Sequence, residues 1–214
     1  MSAPASRSYR SELRDAQASQ TRARVLEAAA AEFAAGGYAG TTLAAIARVA
    51  GVSVETVKLQ GAKHELLLAA WNRRLFGGEE PVGAFLDDDA RRAVAMALPD
   101  EALVGAIADA AAGISVEGVG LWQAFAGAAR IDAQVRAAFD ATLEMRRTEF
   151  RQIVELLDAR GMIANDRPRP ELAAELVFLA SAEGYQSLVV ESGRTVEQYR
   201  AWLQNAIERL ILAA

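Results

Sequence analysis

The sequence predicts an all-α fold of about nine helices, and three observations predict it. Apolar residues recur at three- and four-residue spacing along most of the 214 residues. Alternating runs of β-branched residues, which are typical of strands, are nearly absent. The five prolines and the glycine pairs fall between the periodic segments and not inside them.

The N-terminal third divides into an arm and a four-helix domain. We expect residues 1–20 to form a flexible arm, because they are polar and lack helical periodicity. Four helices follow in residues 21–76. The first is predicted to end at Gly36-Gly37, where glycine supplies the left-handed conformation that stops a helix. Thr42 and Ser53 have side chains suited to cap the second and third helices.

Residues 77–214 are expected to form a second, entirely helical domain. Its prolines and glycines divide the periodic segments into helices near residues 100–112, 116–130, 132–160, 170–191 and 195–213. The run of three aspartates at 87–89 indicates a helix N-terminus or a solvated loop.

Composition excludes several classes of function. The chain has no cysteine and one histidine, His64, so it can hold no disulfide, no thiol nucleophile and no multi-histidine metal site. Hydrophobic residues make up 52% of the chain and charged residues 24%, which is typical of a folded protein. No run of about 18 uncharged apolar residues occurs, and the first 20 residues lack the apolar core of a secretory signal. We therefore expect a cytoplasmic protein with no membrane partner, no metal, no cofactor and no catalytic residues.

Charge is distributed unevenly along the chain. Residues 1–76 contain ten Lys or Arg and six Asp or Glu, whereas the remainder contains 13 basic and 22 acidic residues. The whole chain carries a net charge of −5. A basic N-terminal region on an acidic body favours an anionic partner at the N-terminal end.

The second and third helices form a candidate helix-turn-helix. Gly51-Val52-Ser53 joins two short helices with the tight turn that this motif needs, and the first helix can pack across both. In such a motif the second of the two short helices enters the major groove of DNA. An ordinary corner between two helices has the same topology, so spacing alone leaves both interpretations open.

The residues of this region resemble the N-terminal domain of TetR-family transcriptional regulators, over about residues 21–72. The matching features are an opening Thr-Arg, a Gly-Gly-Tyr after the first helix, Ile46-Ala47 in the second, Ala50-Gly51-Val52-Ser53, Thr56-Val57, and Lys63 before Leu66-Leu67. The resemblance implies an N-terminal DNA-binding domain followed by a ligand-binding and dimerisation domain. It also implies a regulator, expected to be a repressor, that binds double-stranded operator DNA.

Two positions depart from the family pattern. Lys58 stands where the family usually has a tyrosine, and the junction between this position and Lys63 is shorter than usual. Lysine can also contact a phosphate, although it lacks the ring that packs against the helix. DNA binding therefore remains the interpretation, and the docking geometry is left open.

Position assigns roles at the DNA interface. Thr42, at a helix N-terminus, and Lys63, at the start of the fourth helix, are expected to bind phosphates. The residues of the third helix that can reach the groove are Ser53, Val54, Thr56, Lys58 and Gln60. Gln60 is suited to adenine, and Val54 to a thymine methyl group.

The resemblance further implies that the second domain encloses a small, mostly apolar effector and forms a homodimer. Candidate ligand-binding residues are the large or polar side chains Trp122, Gln123, Phe125, Phe139, Phe178 and Glu183, although each aromatic taken alone is more often a core residue. The candidate dimer interface is a stripe on each of the last two helices, formed by Ala173, Val177, Ala180, Gly184 and Leu188 and by Tyr199, Leu203 and Leu210. Both stripes could instead face the core of their own subunit.

Two other classes of function remain open. A helical interaction module that has lost specific DNA binding would share this fold. A helical enzyme is less favoured, because the glycines of residues 113–120 lack the order of a dinucleotide-binding loop and follow no strand.

Overall fold

The computed structural model describes the backbone of residues 5–80 and 83–213 and, within them, all side chains except those of residues 5–13 and Phe85. The described residues form ten α-helices and no strand, which confirms the all-α prediction. The helices are α1 (Ala5–Gly40), α2 (Leu43–Ala50), α3 (Val54–Gln60), α4 (Lys63–Phe76), α5 (Asp89–Ala97), α6 (Asp100–Ala128), α7 (Ala133–Ala159), α8 (Arg169–Leu179), α9 (Ala182–Tyr185) and α10 (Val196–Ile207). A 3₁₀ turn, Phe85–Asp87, precedes α5, and π-helical turns extend α9 over Gln186–Glu191 and α10 over Glu208–Leu212.

Helix α1 begins at Ala5, within the segment of residues 1–20 that was expected to be a flexible arm. Residues 1–4 of that arm lie outside the described residues. Residues 5–20 contain no proline or glycine and many residues of high helix propensity, so they form a helix without an apolar stripe. The expectation failed because it relied on apolar periodicity alone. At the predicted stop, Gly37 has the non-helical angles φ 66° and ψ 173°, so α1 is interrupted by a kink there and its last short segment ends at Gly40.

The predicted helix-turn-helix is formed by α2 and α3. The Thr42 hydroxyl accepts a hydrogen bond from the Ala45 N–H at 3.1 Å, which caps α2. Gly51 ends α2 in the left-handed conformation, with φ 66° and ψ 38°. The Ser53 hydroxyl then accepts from the Thr56 N–H at 3.0 Å and caps α3. These local interactions fix both ends of the turn.

Helix α6 is continuous from Asp100 to Ala128, where two shorter helices were predicted. Its glycines lower the helix propensity by about 1 kcal/mol each relative to alanine. Tertiary packing compensates for this cost, because Gly120 lets α6 lie directly against α1. A Cβ atom at Gly120 would stand 3.1 Å from the Cβ of Ala34 and 3.2 Å from its carbonyl oxygen. A side chain here would therefore push α6 and α1 apart by a few tenths of an ångström, so the close approach favours glycine at this position.

The single helix predicted for residues 170–191 is two helices. Helix α8 ends at Leu179, and α9 begins after Ser181, whose hydroxyl accepts from the Gly184 N–H at 3.0 Å. The serine side chain takes the place of a backbone acceptor and starts a new helix. The predicted stripe of small residues is therefore not one continuous surface.

Two hydrophobic cores lie along the molecule. The first is built by α1–α4 together with the C-terminal half of α6 and Val135 of α7. The second is built by the N-terminal half of α6 with α7, α8, α9 and α10. Because α6 contributes to both cores, the N-terminal domain packs on the body through a shared helix.

Helix α6 is also the one helix in the described part of the chain that is long and apolar enough to cross a membrane by length and composition alone. Its buried residues include Leu103, Leu121 and Trp122, which belong to the two cores. The core helix of a folded protein passes the same test, so we interpret α6 as a core helix.

Candidate nucleic-acid interface

The N-terminal turn of α3 is held by hydrogen bonds between its own side chains. The hydroxyls of Ser53 and Thr56 lie 2.9 Å apart in a hydrogen bond, in addition to the cap that Ser53 provides. Both predicted groove-contacting hydroxyls are thus oriented by each other. Val57, one residue later, is fully buried in the first core and sets the inward face of α3.

The outward face of α3 carries Lys58 and Leu59. Leu59 is 84% exposed, the largest value among the exposed large hydrophobic side chains described. Lys58 is exposed and lies 3.4 Å from the carboxylate of Glu55 in a surface ion pair, an interaction of about 0–1 kcal/mol that a DNA phosphate can replace. Val54 and Gln60 are only partly exposed, and Val54 packs against the first core. Leu59 was not among the residues predicted from the sequence, although an apolar residue between the polar positions Lys58 and Gln60 of α3 could have signalled it.

The shortened junction between α3 and α4 is stabilised by Gly61 and Glu65. Gly61 has φ 140°, a conformation that residues with a side chain rarely adopt, and a Cβ there would stand 2.8 Å from the Glu65 carboxylate. That carboxylate accepts from the Ala62 N–H at 2.7 Å and satisfies the first turn of α4. Glycine thus allows the chain to pass from α3 to α4 with fewer residues than the family pattern has.

Arg22 of α1 fixes the C-terminal end of α3. Its Nη1 donates to the Gln60 carbonyl oxygen at 2.6 Å, and its Nε donates to Glu79 Oε2 at 2.7 Å. Glu79 follows α4, and its carbonyl oxygen accepts from the Asn72 side chain at 2.9 Å. Arg22 therefore joins three elements of the N-terminal domain. Arg22 belongs to the Thr-Arg pair that opens the family resemblance, but the sequence predicted no role for its side chain.

Lys63 and Thr42, the predicted phosphate ligands, occupy helix N-termini. Thr42 is exposed at the start of α2. Lys63 begins α4, and its Nζ lies 4.6 Å from the ring centroid of Tyr38. Partial burial lowers the pKa of Lys63.

Tyr38 connects this surface to the body. Its hydroxyl donates to Asp132 Oδ2 at 3.0 Å, and Asp132 caps the N-terminus of α7. Burial, followed by the hydrogen bond and charge of Asp132, raises the pKa of Tyr38 to about 12. The pKa of Asp132 is lowered, chiefly by the hydrogen bond from the Val135 N–H and also by Tyr38 and the nearby His64. The tyrosine is thus neutral and the aspartate charged near neutral pH.

The predicted ligand-binding aromatics form a packed cluster. Trp122 lies 5.5 Å from Trp71 and 5.0 Å from Phe139, and Phe125 lies 5.3 Å from Trp71, measured between ring centroids. The Trp122 indole N–H donates to Glu183 at 3.1 Å. The structure thus brings Trp122, Phe125, Phe139 and Glu183 together. Through Trp71 of α4, Trp122 and Phe125 of α6, and Phe139 of α7, the aromatic rings of the cluster join these three helices.

Two predicted ligand-binding residues lie apart from this cluster. Phe178 is 76% exposed on α8, so its prediction as a pocket residue is wrong for this conformation. The α8 helix turns its other face, with Leu176 and Leu179, into the second core. Gln123 is exposed, and its side chain donates to Gln186 at 3.0 Å. It lines an open groove of about 470 Å³ between the end of α1 and α6.

Arg146, a partly buried arginine of α7, lies beside the aromatic cluster. The guanidinium of Arg146 stands over the Trp122 ring, 5.3 Å from its centroid, and contacts the Ala180 carbonyl at 3.4 Å. Burial lowers the pKa of Arg146 and raises the pKa of Glu149, one turn further along α7. Among the described residues, the Tyr199 hydroxyl is buried without a well-formed hydrogen bond. The body therefore holds polar groups that a ligand could satisfy.

The predicted dimer stripes mostly face inward. Tyr199 and Leu203 are fully buried in the second core, and Ala173 and Ala180 are buried with them, so these four cannot contact a second subunit and that part of the prediction is wrong. Val177 and Leu188 are partly buried against the same core, and Gly184 is partly buried at the start of α9. Leu210 is 50% exposed and remains available. Each stripe packs mainly against the core of its own subunit.

The comparison with known sequences identifies the N-terminal domain. The model of the bacterial regulatory proteins of the tetR family matches residues 25–60, which run from α1 to the end of α3. No curated protein matches the chain.

Solved structures share the fold over nearly the whole chain. A protein from Saccharomonospora viridis, described as a transcriptional regulator and solved in complex with choline, has a TM-score of 0.72 at 21% identity, over 92% of this chain and 100% of its own. A TetR-family regulator from Rhodococcus sp. has a TM-score of 0.59 at 17% identity, over 91% and 100% of the two chains. A TetR regulator from Chloroflexus aurantiacus has a TM-score of 0.55 at 21% identity, over 92% and 99%.

A capped helix-turn-helix seated on a helical body is the fold that the chain shares with these transcriptional regulators. Within that fold, residues 25–60 match the sequence model of the tetR family. The chain is therefore similar to TetR-family transcriptional regulators, in sequence over residues 25–60 and in fold over nearly its whole length.

We predict that Arg22→Ala lowers the free energy of unfolding by about 1 kcal/mol, because the Gln60 carbonyl and the Glu79 carboxylate lose a charged donor that is partly exposed to solvent. Urea unfolding followed by circular dichroism measures it. Arg24→Ala is the matched control, since Arg24 is an exposed arginine of the same helix. Equal stability of the two variants would contradict the assigned role of Arg22.

Proposed function

We propose that the protein is a dimeric repressor that binds a pseudo-palindromic operator and leaves it when a small, mostly apolar molecule binds the body. The observation that carries the proposal is the outward face of α3, which is fixed at its start by Ser53 and at its end by Arg22 while Lys58 and Leu59 remain exposed. A short helix held at both ends and exposed between them suits insertion into the major groove. The basic N-terminal region supplies attraction to the DNA backbone.

Contacts at the DNA divide into phosphate and base contacts. Thr42 and Lys63 lie at helix N-termini and are proposed to bind phosphates, with Lys58 as a further cation. Ser53, Val54, Thr56 and Gln60 are proposed to face the groove, joined by Leu59, whose apolar side chain suits a thymine methyl group. The operator would be defined by selecting bound sequences from a random pool, and an enriched inverted repeat would support both DNA binding and a dimer.

We predict that Lys63→Ala weakens binding to every sequence and lowers the slope of log K against log salt by about one, since one phosphate contact is lost. Gln60→Ala should instead change the preference at one base by about 1–3 kcal/mol. Filter binding at several salt concentrations separates the two effects. Arg147→Ala, at an exposed arginine of α7 paired with Glu144, serves as the control and should change neither quantity. If Lys63→Ala and Gln60→Ala both bind DNA like the wild type, the assignment of these residues to the DNA interface is wrong.

The dimer is proposed to form through the C-terminal helices, with an interface revised from that predicted. Phe178 on α8, Val190 in the π turn after α9 and Leu210 in the π turn after α10 are at least half exposed. Exposed apolar residues on neighbouring helices are typical of a subunit interface. The dimer also has a functional reason, because two heads about 34–36 Å apart read two half-sites on one face of DNA.

We predict that Phe178→Arg yields a folded monomer, because a charged side chain would enter the proposed contact. Sedimentation velocity measures the change, and the variant should also lose operator affinity. Val94→Arg is the matched control, since Val94 is 65% exposed on α5, outside the C-terminal helices. A dimeric Phe178→Arg protein would place the interface elsewhere.

The effector site is proposed to lie where α6, α7 and α9 meet. Trp122, Phe139 and Glu183 would meet the ligand there, with Arg146 beside them. The similar structure from Saccharomonospora viridis was solved with choline, which supports a small organic ligand in this fold. Release from DNA needs only differential affinity, since a tenfold loss of operator binding corresponds to about 1.4 kcal/mol of coupling.

We predict that a library of small apolar compounds, with choline included, contains members that raise the melting temperature of the wild type. Trp122→Phe should reduce that shift, because the ligand would lose the indole contact while the packing is largely kept. Trp202→Phe, on the partly exposed face of α10, is the control. A library without a stabilising member, or a shift unchanged in Trp122→Phe, would count against this site.

A helical interaction module is the alternative of a different class. It would share the fold and show no mobility shift with any DNA at low salt, where a regulator binds DNA of every sequence. The regulator is favoured by the exposed face of α3 and by the match to the family over residues 25–60. A cytoplasmic location is proposed with it.

A further inference from the structure

Tyr38 contacts the DNA-binding surface and the body with two different parts of one side chain. The face of its ring lies 4.6 Å from the ammonium of Lys63, which begins α4. Its hydroxyl donates to Asp132 Oδ2 at 3.0 Å, across 94 residues of sequence. The ring is itself held by stacking on Phe33, with the centroids 5.9 Å apart. Tyr38 is therefore fixed in place before DNA arrives.

The ring and the ammonium form a cation–π contact that suits a phosphate ligand. Such a contact attracts the cation without using its hydrogen-bond donors. The three donors of Lys63 thus stay available to a phosphate oxygen, while the flexible four-carbon stem is confined. Confinement before binding reduces the entropy that a lysine loses when it contacts DNA.

The two carboxylate oxygens of Asp132 have separate roles. Oδ1 accepts from the N–H groups of Gln134 and Val135, at 3.0 and 3.2 Å, and caps α7. Oδ2 accepts from Tyr38. Helix α7 continues into the body and carries Phe139 and Arg146, which contact Trp122. A displacement of α7 would therefore move the acceptor that holds Tyr38.

We propose that Tyr38 is a positioning residue of the DNA interface, which orients Lys63 toward a phosphate and makes that orientation depend on the first turn of α7. This inference rests on the proposed DNA binding and adds to it the route by which the body controls the affinity. His64 follows Lys63 in α4 and lies near Asp132, so α4 and α7 face each other across Tyr38.

A double-mutant cycle tests the link between Tyr38 and Lys63. The probe is a random-sequence duplex of about 20 base pairs at low salt, which reports phosphate contacts without a known operator. Lys63→Ala should weaken wild-type binding about tenfold, but less than about twofold in the Tyr38→Leu background. Tyr38→Phe keeps the ring and should retain the full effect of Lys63→Ala. Equal effects of Lys63→Ala in the wild type and in Tyr38→Leu would overturn the proposal.

Hydrogen exchange tests the link to α7. Saturating the wild type with the same duplex should slow amide exchange over residues 133–137, because coupling between two sites is reciprocal. Tyr38→Phe and Asp132→Asn should bind the duplex and lose this change. Asparagine keeps the cap with its carbonyl oxygen but presents an amide to the tyrosine hydroxyl. Asp88→Asn, at the cap of α5, is the matched control and should keep the wild-type response.

The outcomes separate this proposal from the proposed function. A wild type that fails to bind the duplex at low salt overturns DNA binding itself. A wild type that binds, with exchange over residues 133–137 unchanged or changed equally in Tyr38→Phe, overturns the positioning role alone. Should Tyr38→Leu be unfolded by circular dichroism, the cycle is run with Tyr38→Met, which also removes the ring, and additive effects with Lys63→Ala would overturn the proposal.

Discussion

The packing of α6 against the N-terminal domain is the constraint on which the rest of the structure depends. Trp71 of α4 lies between Trp122 and Phe125 of α6, so the end of the domain that would bind DNA and the wall of the body are made of the same aromatic side chains. Gly120 removes the side chain that would keep α6 away from α1. The two halves therefore cannot reorient independently, because any tilt of α4 or α6 disturbs a core that is close-packed on both sides.

The parts of the fold that could be predicted from sequence are those determined locally. The ends of α2 and α3 depend on Thr42, Gly51 and Ser53, each of which acts within three residues of itself, so sequence pattern and structure agree. The N-terminal part of α1 was missed because propensity alone forms it. The continuity of α6 was missed because its glycines are compensated by contacts with Ala34 and Leu75, which lie far away in sequence.

In the candidate site, too, the locally determined residues could be predicted from the sequence, and the contacts between distant residues could not. Residues of the helix-turn-helix could be named from spacing together with the family resemblance. The contacts of Arg22 with Glu79 and of Tyr38 with Asp132 join positions 57 and 94 residues apart and carry no local pattern. For the C-terminal stripes, the apolar face was predicted correctly but was assigned to the wrong partner. Helical spacing identifies an apolar face but not its partner, and for Tyr199 and Leu203 that partner is the core of the same subunit. Phe178, chosen as a buried pocket residue, lies on the surface instead.

The hydrogen bond from Arg22 to the carbonyl of Gln60 has a consequence for which substitutions α3 can accept. Arg22 contacts a main-chain oxygen, which every amino acid at position 60 would present. The side chains on the outward face of α3 can therefore change through mutation without loss of the anchor that holds the helix. Gly61 and Glu65 likewise stabilise the following turn through backbone geometry and a backbone N–H. Substitutions on the outward face of α3 thus leave intact the backbone contacts that hold the helix in place.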